Sequence, residues 1–246
     1  MRLQDKTAII TGGGSGFGAG IVRKFVAEGA RVMVADINLD AAQVIASETG
    51  SIAHQVDVAD NASVAAMAKA ALSQLGHVDI LVNNAGITHL PKPMEEVEED
   101  EFDRVFAVNA KSVYLTAKYL IGHMKSRGTG AVLNIASTAG LSPRPNLNWY
   151  NASKGWMITA TKTMAVELAA RGVRVNALCP VAGETPLLAS FMGEDTPERR
   201  AAFLSTIPMG RFSTPEDMGN AACYLCSDEA SLITGVAMEV DGGRCI

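Results

Sequence analysis

Tyr150 and Lys154, in the stretch WYNASKG (149–155), stand four residues apart. On a helix, positions i and i+4 share a face one turn apart, so phenol and ammonium would project from the same side. A free phenol, with a pKa of about 10, is a poor base at neutral pH. A neighbouring cation favours the phenolate and lowers that value, so the spacing suits a tyrosine tuned for proton transfer. The same pair also arises on an ordinary solvated helix face, and the rest of the chain has to separate the two readings.

A second stretch with chemistry in it is TGGGSGFG, Thr11 to Gly18, between a β-branched run and a helical pattern. Glycines there allow a tight turn and let the backbone approach a diphosphate. The helix start supplies unpaired N–H groups and a favourable dipole. Asp36 follows eighteen residues after Gly18, at the end of the next apolar run. An acid at that point accepts hydrogen bonds from adenosine ribose hydroxyls and repels a 2'-phosphate. Ser15 and Ile37 occupy the places where a cation would hold that phosphate, so the expected cofactor is NAD rather than NADP. The bland alternative is a glycine turn followed by a surface aspartate.

These groups need elements to position them. Strands are expected at 7–11, 31–36, 52–58, 78–84, 130–137, 173–179 and 235–241, without the strict alternation of half-exposed strands. Helices are expected at 17–28, 39–48, 61–75, 100–126, 150–171 and 215–227. This alternation predicts an α/β fold: one Rossmann-like domain over 1–246, with a doubly wound, parallel, seven-stranded sheet and helices on both faces. The segment 183–214 interrupts the alternation after the sixth strand. It carries Pro186, Gly193, Pro197, Pro208 and Gly210, and is expected to form a mobile lid over a ligand site. The acidic run EEVEEDEFD (95–103) reads as the start of a helix rather than a docking surface for a basic partner.

Composition narrows the class. Of 246 residues, 48% are hydrophobic, enough for a large core, and the net charge is −5 with no basic cluster. Nucleic acid and anionic membrane surfaces are therefore not expected partners. The N-terminal stretch lacks the apolar core of a signal peptide, and no stretch approaches a membrane span, so a cytoplasmic protein is expected. Cys223 and Cys226 form a CxxC, but the surrounding MGNAACYLCSDEA reads as an amphipathic helix with both thiols reduced and packed. The four histidines show no paired-ligand spacing, and no metal is expected.

The glycine loop, NNAG (Asn83, Asn84, Ala85, Gly86), Asn109, Ser137 and the Tyr150/Lys154 pair together resemble the short-chain dehydrogenase/reductase family, in order and spacing, over essentially the whole chain. Thr11, Gly12, Gly16 and Gly18 match the TGxxxGxG pattern of that family. The resemblance implies that Asn83, Ala85 and Gly86 lie beside the adenosine side of the cofactor, that Asp57 and Val58 contact adenine, and that Phe17 belongs to the phosphate loop. It further implies a catalytic tetrad. Tyr150 would exchange a proton with the substrate oxygen, and Lys154 would lower the Tyr150 pKa and hold the nicotinamide ribose. Ser137 would hold and polarise the substrate oxygen, and Asn109 would anchor a water that relays protons through Lys154. The cofactor carries the hydride while the protein orients it and manages protons.

Two departures stand out. Where the family shows proline–glycine, an aliphatic residue and threonine, this chain reads PVAGET: Pro180 and Thr185 match, but Val181 and Gly183 do not. The Gly183 N–H can still meet the carboxamide, so the resemblance implies that Pro180, Gly183 and Thr185 bind the cofactor. Near the C-terminus, Arg244 and Cys245 stand where related chains approach a neighbouring subunit or its site. The expected activity is interconversion of a secondary alcohol and a ketone with NAD(H). The alternatives are an NADPH-dependent 3-oxoacyl-[acyl carrier protein] reductase and a non-catalytic NAD-binding sensor. Ala139, Arg144, Leu147, Leu187, Leu188 and Phe191 are the expected substrate wall, with Leu141 and Met192 beside them. Arg144 could meet an acidic substrate, although an arginine between two prolines reads more simply as a surface residue. Family resemblance suggests that the outer faces of 100–126 and 150–171 pair with other copies, giving a homotetramer.

Overall fold

The computed structural model describes residues 1–246. Seven parallel strands form one sheet in the order β3-β2-β1-β4-β5-β6-β7. They are β1 (Thr7–Thr11), β2 (Arg31–Asp36), β3 (Ile52–Gln55), β4 (Ile80–Asn83), β5 (Gly130–Ile135), β6 (Val173–Pro180) and β7 (Ala237–Val240). The order reverses between β1 and β4, where doubly wound sheets open a crevice beyond the carboxyl ends of their strands.

Each inner strand is apolar on both faces because helices cover both. Ala8 and Ile10 of β1 pack with Val22, Phe25 and Met218 on one side. Ile9 points the other way, towards Met67, Leu120 and Ala165. The first layer comes from α1 (Gly16–Ala27), α2 (Leu39–Thr49) and α9 (Pro215–Cys226). The second comes from α3 (Asn61–Leu75), α5 (Ser112–Arg127) and α6 (Asn148–Leu168). Cys223 and Cys226 are buried, unbridged, in the α9 layer, as the amphipathic reading expects.

The acidic run does start a helix. Glu98 and Glu101 form a reciprocal capping box at the head of α4 (Glu99–Phe106). The helix expected over 100–126 is nevertheless not uniform, because a π-turn over Ala107–Lys111 separates α4 from α5. A π-turn adds its residue at one place only, too short a break to stand out in apolar periodicity read over several turns. Residues 183–214, expected as a lid, fold into α7 (Leu188–Met192) and α8 (Pro197–Leu204) around a small cluster of Val181, Leu188, Met192, Ile207 and Phe212.

Two strand ends fall earlier than expected by two residues or more. β3 stops at Gln55, so Asp57 and Val58 lie in the turn beyond it. The Asp57 N–H leaves the ladder to donate to Ser63 Oγ in α3. β5 stops at Ile135, which places Ser137 two residues past the strand, at the head of a short turn over Thr138–Gly140.

Candidate active site

A cavity of about 430 Å³ opens beyond the carboxyl ends of the strands. One end is built by the glycine loop. Gly12 turns the chain at φ +62°, and a Cβ on Gly18 would lie 2.0 Å from the Gly12 carbonyl oxygen, so only glycine permits this turn. The Asp36 carboxylate fastens it, accepting from Gly14 N at 2.9 Å and from Asn38 N at 3.0 Å. Gly12, Ser15, Gly16, Phe17, Asp36, Ile37, Asp57 and Val58 all line this end. Gly18 does not; it is spent on close packing within the loop.

Of the NNAG segment, Asn84, Ala85 and Gly86 line the cavity and Asn83 does not. The expectation for Asn83 needs correcting. As the last residue of β4 it points into the core, where Nδ2 donates to Asn134 Oδ1 at 2.8 Å and Oδ1 accepts from Thr116 Oγ1 at 2.9 Å. Asn134 in turn donates to Thr161 Oγ1, so a buried polar ladder ties β4 and β5 to α5 and α6. Asn84 faces the loop and donates from Nδ2 to the carbonyls of Thr11 and Gly12.

At the other end, Tyr150 and Lys154 open the buried stripe of α6, which continues through Met157, Thr161, Ala165 and Leu168. The helix period that packs α6 on the sheet thus carries both groups to the strand ends. Lys154 Nζ donates to the Ile135 carbonyl at 2.8 Å and lies 5.9 Å from the centre of the Tyr150 ring. Burial pushes the ammonium down to about 8. The phenol is pushed up to about 12, burial outweighing the opposing hydrogen bond of Ser137. The expectation that Lys154 lowers the Tyr150 pKa is therefore not met in this structure: desolvation of the phenol is the larger effect.

Ser137 lines the cavity and its Oγ accepts from Ala139 N at 3.1 Å. Asn109 is fully buried in the π-turn. Its Oδ1 accepts from Ile87 N at 2.9 Å, and its Nδ2 donates to the Ile87 carbonyl and to Ser153 Oγ. Ser153 then donates to the Tyr150 carbonyl at 2.7 Å, so Asn109 braces the first turn of α6 against the chain after β4. Asn109 itself is not on the cavity wall. Gly86 lies between it and Lys154, since a Cβ there would be 3.3 Å from Lys154 Nζ and 3.5 Å from Asn109 Oδ1.

These positions match known proteins along the whole chain. A sequence model described as enoyl-(acyl carrier protein) reductase matches residues 12–244. The 4-formylbenzenesulfonate dehydrogenase of Comamonas testosteroni is 50% identical over all of both chains. The 3-oxoacyl-[acyl-carrier-protein] reductase of Thermotoga maritima is 36% identical, again over the full length of both. A crystal structure of 3-ketoacyl-(acyl-carrier-protein) reductase from Brucella melitensis complexed with NADH superimposes with a TM-score of 0.95 at 50% identity, covering 99% of this chain and all of that one. The chain belongs to the short-chain dehydrogenase/reductase family. It is an oxidoreductase that acts on an alcohol or carbonyl group with a nicotinamide cofactor.

The cavity wall of this short-chain dehydrogenase/reductase meets some sequence expectations and departs from others. Pro180, Gly183 and Thr185 do line the cavity, and the space beside Gly183 is filled by the Phe17 ring. On the substrate side, Ala139, Arg144, Leu147, Leu187 and Phe191 line the wall, with Phe191 packed edge-on against Tyr150 at 5.1 Å. Leu188 and Met192 do not, because they form the interior of the 183–214 segment. Leu141 lies off the wall and is exposed. Phe203, from α8, was not foreseen; no local pattern in the sequence shows that α8 folds back over the cavity. Arg144 is partly buried on the wall, contrary to its simpler reading as a surface residue.

Proposed function

We propose that the protein is an NAD(H)-dependent dehydrogenase that interconverts a secondary alcohol and a ketone, with Tyr150 as the proton donor and acceptor. Asp36 carries the cofactor preference. Its carboxylate sits at the glycine loop, bonded to Gly14 N at 2.9 Å, and its neighbours Ser15 and Ile37 supply no cation. A 2'-phosphate there would face a carboxylate without compensation. The nicotinamide, when bound, supplies or accepts the hydride. Gly12, Ser15, Gly16, Phe17, Asn84, Ala85, Gly86, Pro180, Gly183 and Thr185 would hold the cofactor, with Val58 and Asp57 at its adenine end.

At neutral pH the buried phenol keeps its proton, which suits it to protonate an oxygen that gains charge during carbonyl reduction. Ser137 would hold that oxygen and Lys154 would contribute positive charge behind the phenol. Asn109 fixes the helix turn that bears Tyr150. We further propose a cytoplasmic homotetramer with 183–214 as its lid. In support, Tyr114 on α5 and Trp156 and Val166 on α6 leave large apolar surface exposed.

A second reading, 3-oxoacyl-[acyl carrier protein] reductase, is favoured by the names of two of the similar proteins. Against it stand Asp36 and the absence of a basic cluster for an acidic carrier. The test is a paired titration with NADH and NADPH, followed by turnover of ketones, aldehydes and an acyl-carrier substrate by wild type and Tyr150→Phe. NADH preference with turnover lost in Tyr150→Phe supports the dehydrogenase. NADPH preference with carrier turnover overturns it, and binding without turnover of any substrate indicates a sensor.

A further inference from the structure

Four arginines are partly buried: Arg144, Arg174, Arg200 and Arg244. Two are fully partnered. Arg174 donates to the carbonyls of Leu225, Ile233 and Ser227, and Arg200 pairs with Asp195 and Glu184. The other two have no carboxylate. Arg144 enters the hydrogen-bond network through its own carbonyl alone, which accepts from Asn151 Nδ2. Its guanidinium carbon lies over the Phe203 ring, 4.1 Å from the centroid, a cation–π contact. A cation–π contact uses none of the N–H donors of a guanidinium, so its fork stays available to an acceptor. Arg244, in the turn after β7, has a buried Nε with no partner.

Leaving two guanidiniums without a counter-charge is costly, since burial and mutual repulsion act in the same direction. Both effects are visible: burial first, then Arg244, pushes Arg144 down to about 10. The place is also informative. Arg144 shares the cavity wall with Ser137 and Tyr150, while Leu147, Leu187 and Phe191 supply an apolar lining. A molecule whose reacting oxygen meets Ser137 and Tyr150 would lay an apolar body on that lining and reach Arg144 with its far end.

We propose that Arg144, backed by Arg244, receives an anionic group of the substrate, a carboxylate or sulfonate carried on an apolar body. This rests on the dehydrogenase reading of the same cavity. The fork geometry of a guanidinium fits two oxygens of either anion, which offsets part of the positive charge of the pair and satisfies donors that the protein itself leaves open.

The experiment has two arms on the full-length protein saturated with NADH. In the first, kcat/KM is compared for acetophenone, 4-acetylbenzoate and 4-acetylbenzenesulfonate with wild type, Arg144→Met and Arg144→Lys. In the second, benzoate and benzenesulfonate binding is measured calorimetrically, with benzyl alcohol as the neutral control. Wild type is expected to favour an anionic ketone. Arg144→Met should lower the preference for that ketone over acetophenone about 30-fold or more, with Arg144→Lys between wild type and Arg144→Met. The ratio of the two anions identifies the group. NADH affinity should not move. Equal use of neutral and anionic ketones overturns the proposal and leaves the dehydrogenase standing. Arg144-dependent anion binding without any turnover does the reverse. If Arg144→Met alters oligomeric state and not anion selectivity, the guanidinium belongs to a subunit contact and the proposal fails.

Discussion

The Phe17 ring fills the place that a side chain at position 183 would take: a Cβ built on Gly183 would lie 2.3 Å from Phe17 Cζ. A residue of the glycine loop and one beyond β6 thus compensate each other across the cofactor end of the cavity. The departure from the family pattern at Gly183 is matched by a large ring at Phe17. Gly183→Val is expected to weaken NADH binding about 10-fold or more, because over-packing of this kind costs roughly 1–3 kcal/mol. Adding Phe17→Ala should restore much of that loss. A double-mutant cycle on NADH affinity checks it, and strict additivity would show that the two positions are independent.

Asp36 has two roles, which separate on substitution. It accepts from Gly14 N in the loop and from Asn38 N at the head of α2, and under the proposed NAD preference it would repel extra phosphate. Asp36→Asn combined with Ile37→Arg should shift the NADPH-to-NADH affinity ratio by about 100-fold, since a like-charge contact becomes an attractive one. The measurement is the pair of dissociation constants, and an unchanged ratio would remove Asp36 from cofactor selection.

Lys154 predicts a pH signature in stability. Its ordinary value of 10.5 falls to about 8 when folded. Between those values the unfolded chain holds a proton that the native chain has shed, so rising pH favours the native state. The penalty is complete below pH 8 and gone above 10.5. Lys154→Met escapes it at every pH, but leaves the Ile135 carbonyl without its partner by a fixed amount. The stability of the variant relative to wild type should therefore fall by about 2 kcal/mol from pH 7 to 9.5, at roughly 1.4 kcal/mol per unit. Urea unfolding at the two pH values reads it directly.

Tyr150 predicts an asymmetry between directions. The phenol, held up near 12, carries its proton at neutral pH and can donate it, while its phenolate is scarce as a base. Alcohol oxidation should accelerate as pH rises from 7 to 9, while carbonyl reduction should not. Tyr150→Phe should lower turnover about 100- to 10,000-fold in both directions and leave NADH affinity within about 3-fold. Stopped-flow traces of the nicotinamide absorbance in each direction would test this.

Asn109 acts through position. Asn109→Leu leaves the Ile87 N–H, the Ile87 carbonyl and Ser153 Oγ without their present partners. A loss of about 3 kcal/mol or more in unfolding free energy is expected, at roughly 1–3 kcal/mol for each buried group left unpaired. Turnover should fall too, because the Ser153 link to the Tyr150 carbonyl is no longer braced.

Much of the site was readable because its signals are local. The glycine loop, Asp36 at a strand end and the i, i+4 spacing of Tyr150 and Lys154 each occupy one turn or one element, and backbone geometry then carries them to the strand ends. The two asparagines of NNAG show where that stops. Adjacent residues at the end of a strand face opposite ways, and which one faces the cavity depends on the registry of β4 between β1 and β5. Asn83 went to the core ladder and Asn84 to the loop. Leu188 failed similarly, since a short amphipathic helix does not say which neighbour will cover its apolar face.

By itself, then, the sequence determined the doubly wound sheet, the tight glycine loop and the shared helix face of Tyr150 and Lys154, all products of short-range periodicity and glycine geometry. Only the tertiary structure decided three other things. It showed the π-turn that lets Asn109 brace α6, and the exchange of volume between Phe17 and Gly183. It also showed that Arg144, set between two prolines in a loop, lies on the cavity wall with no acid to meet it. Each depends on contacts between residues from 22 to 166 positions apart along the chain. No local pattern records such contacts, because they arise when separate elements pack into one core.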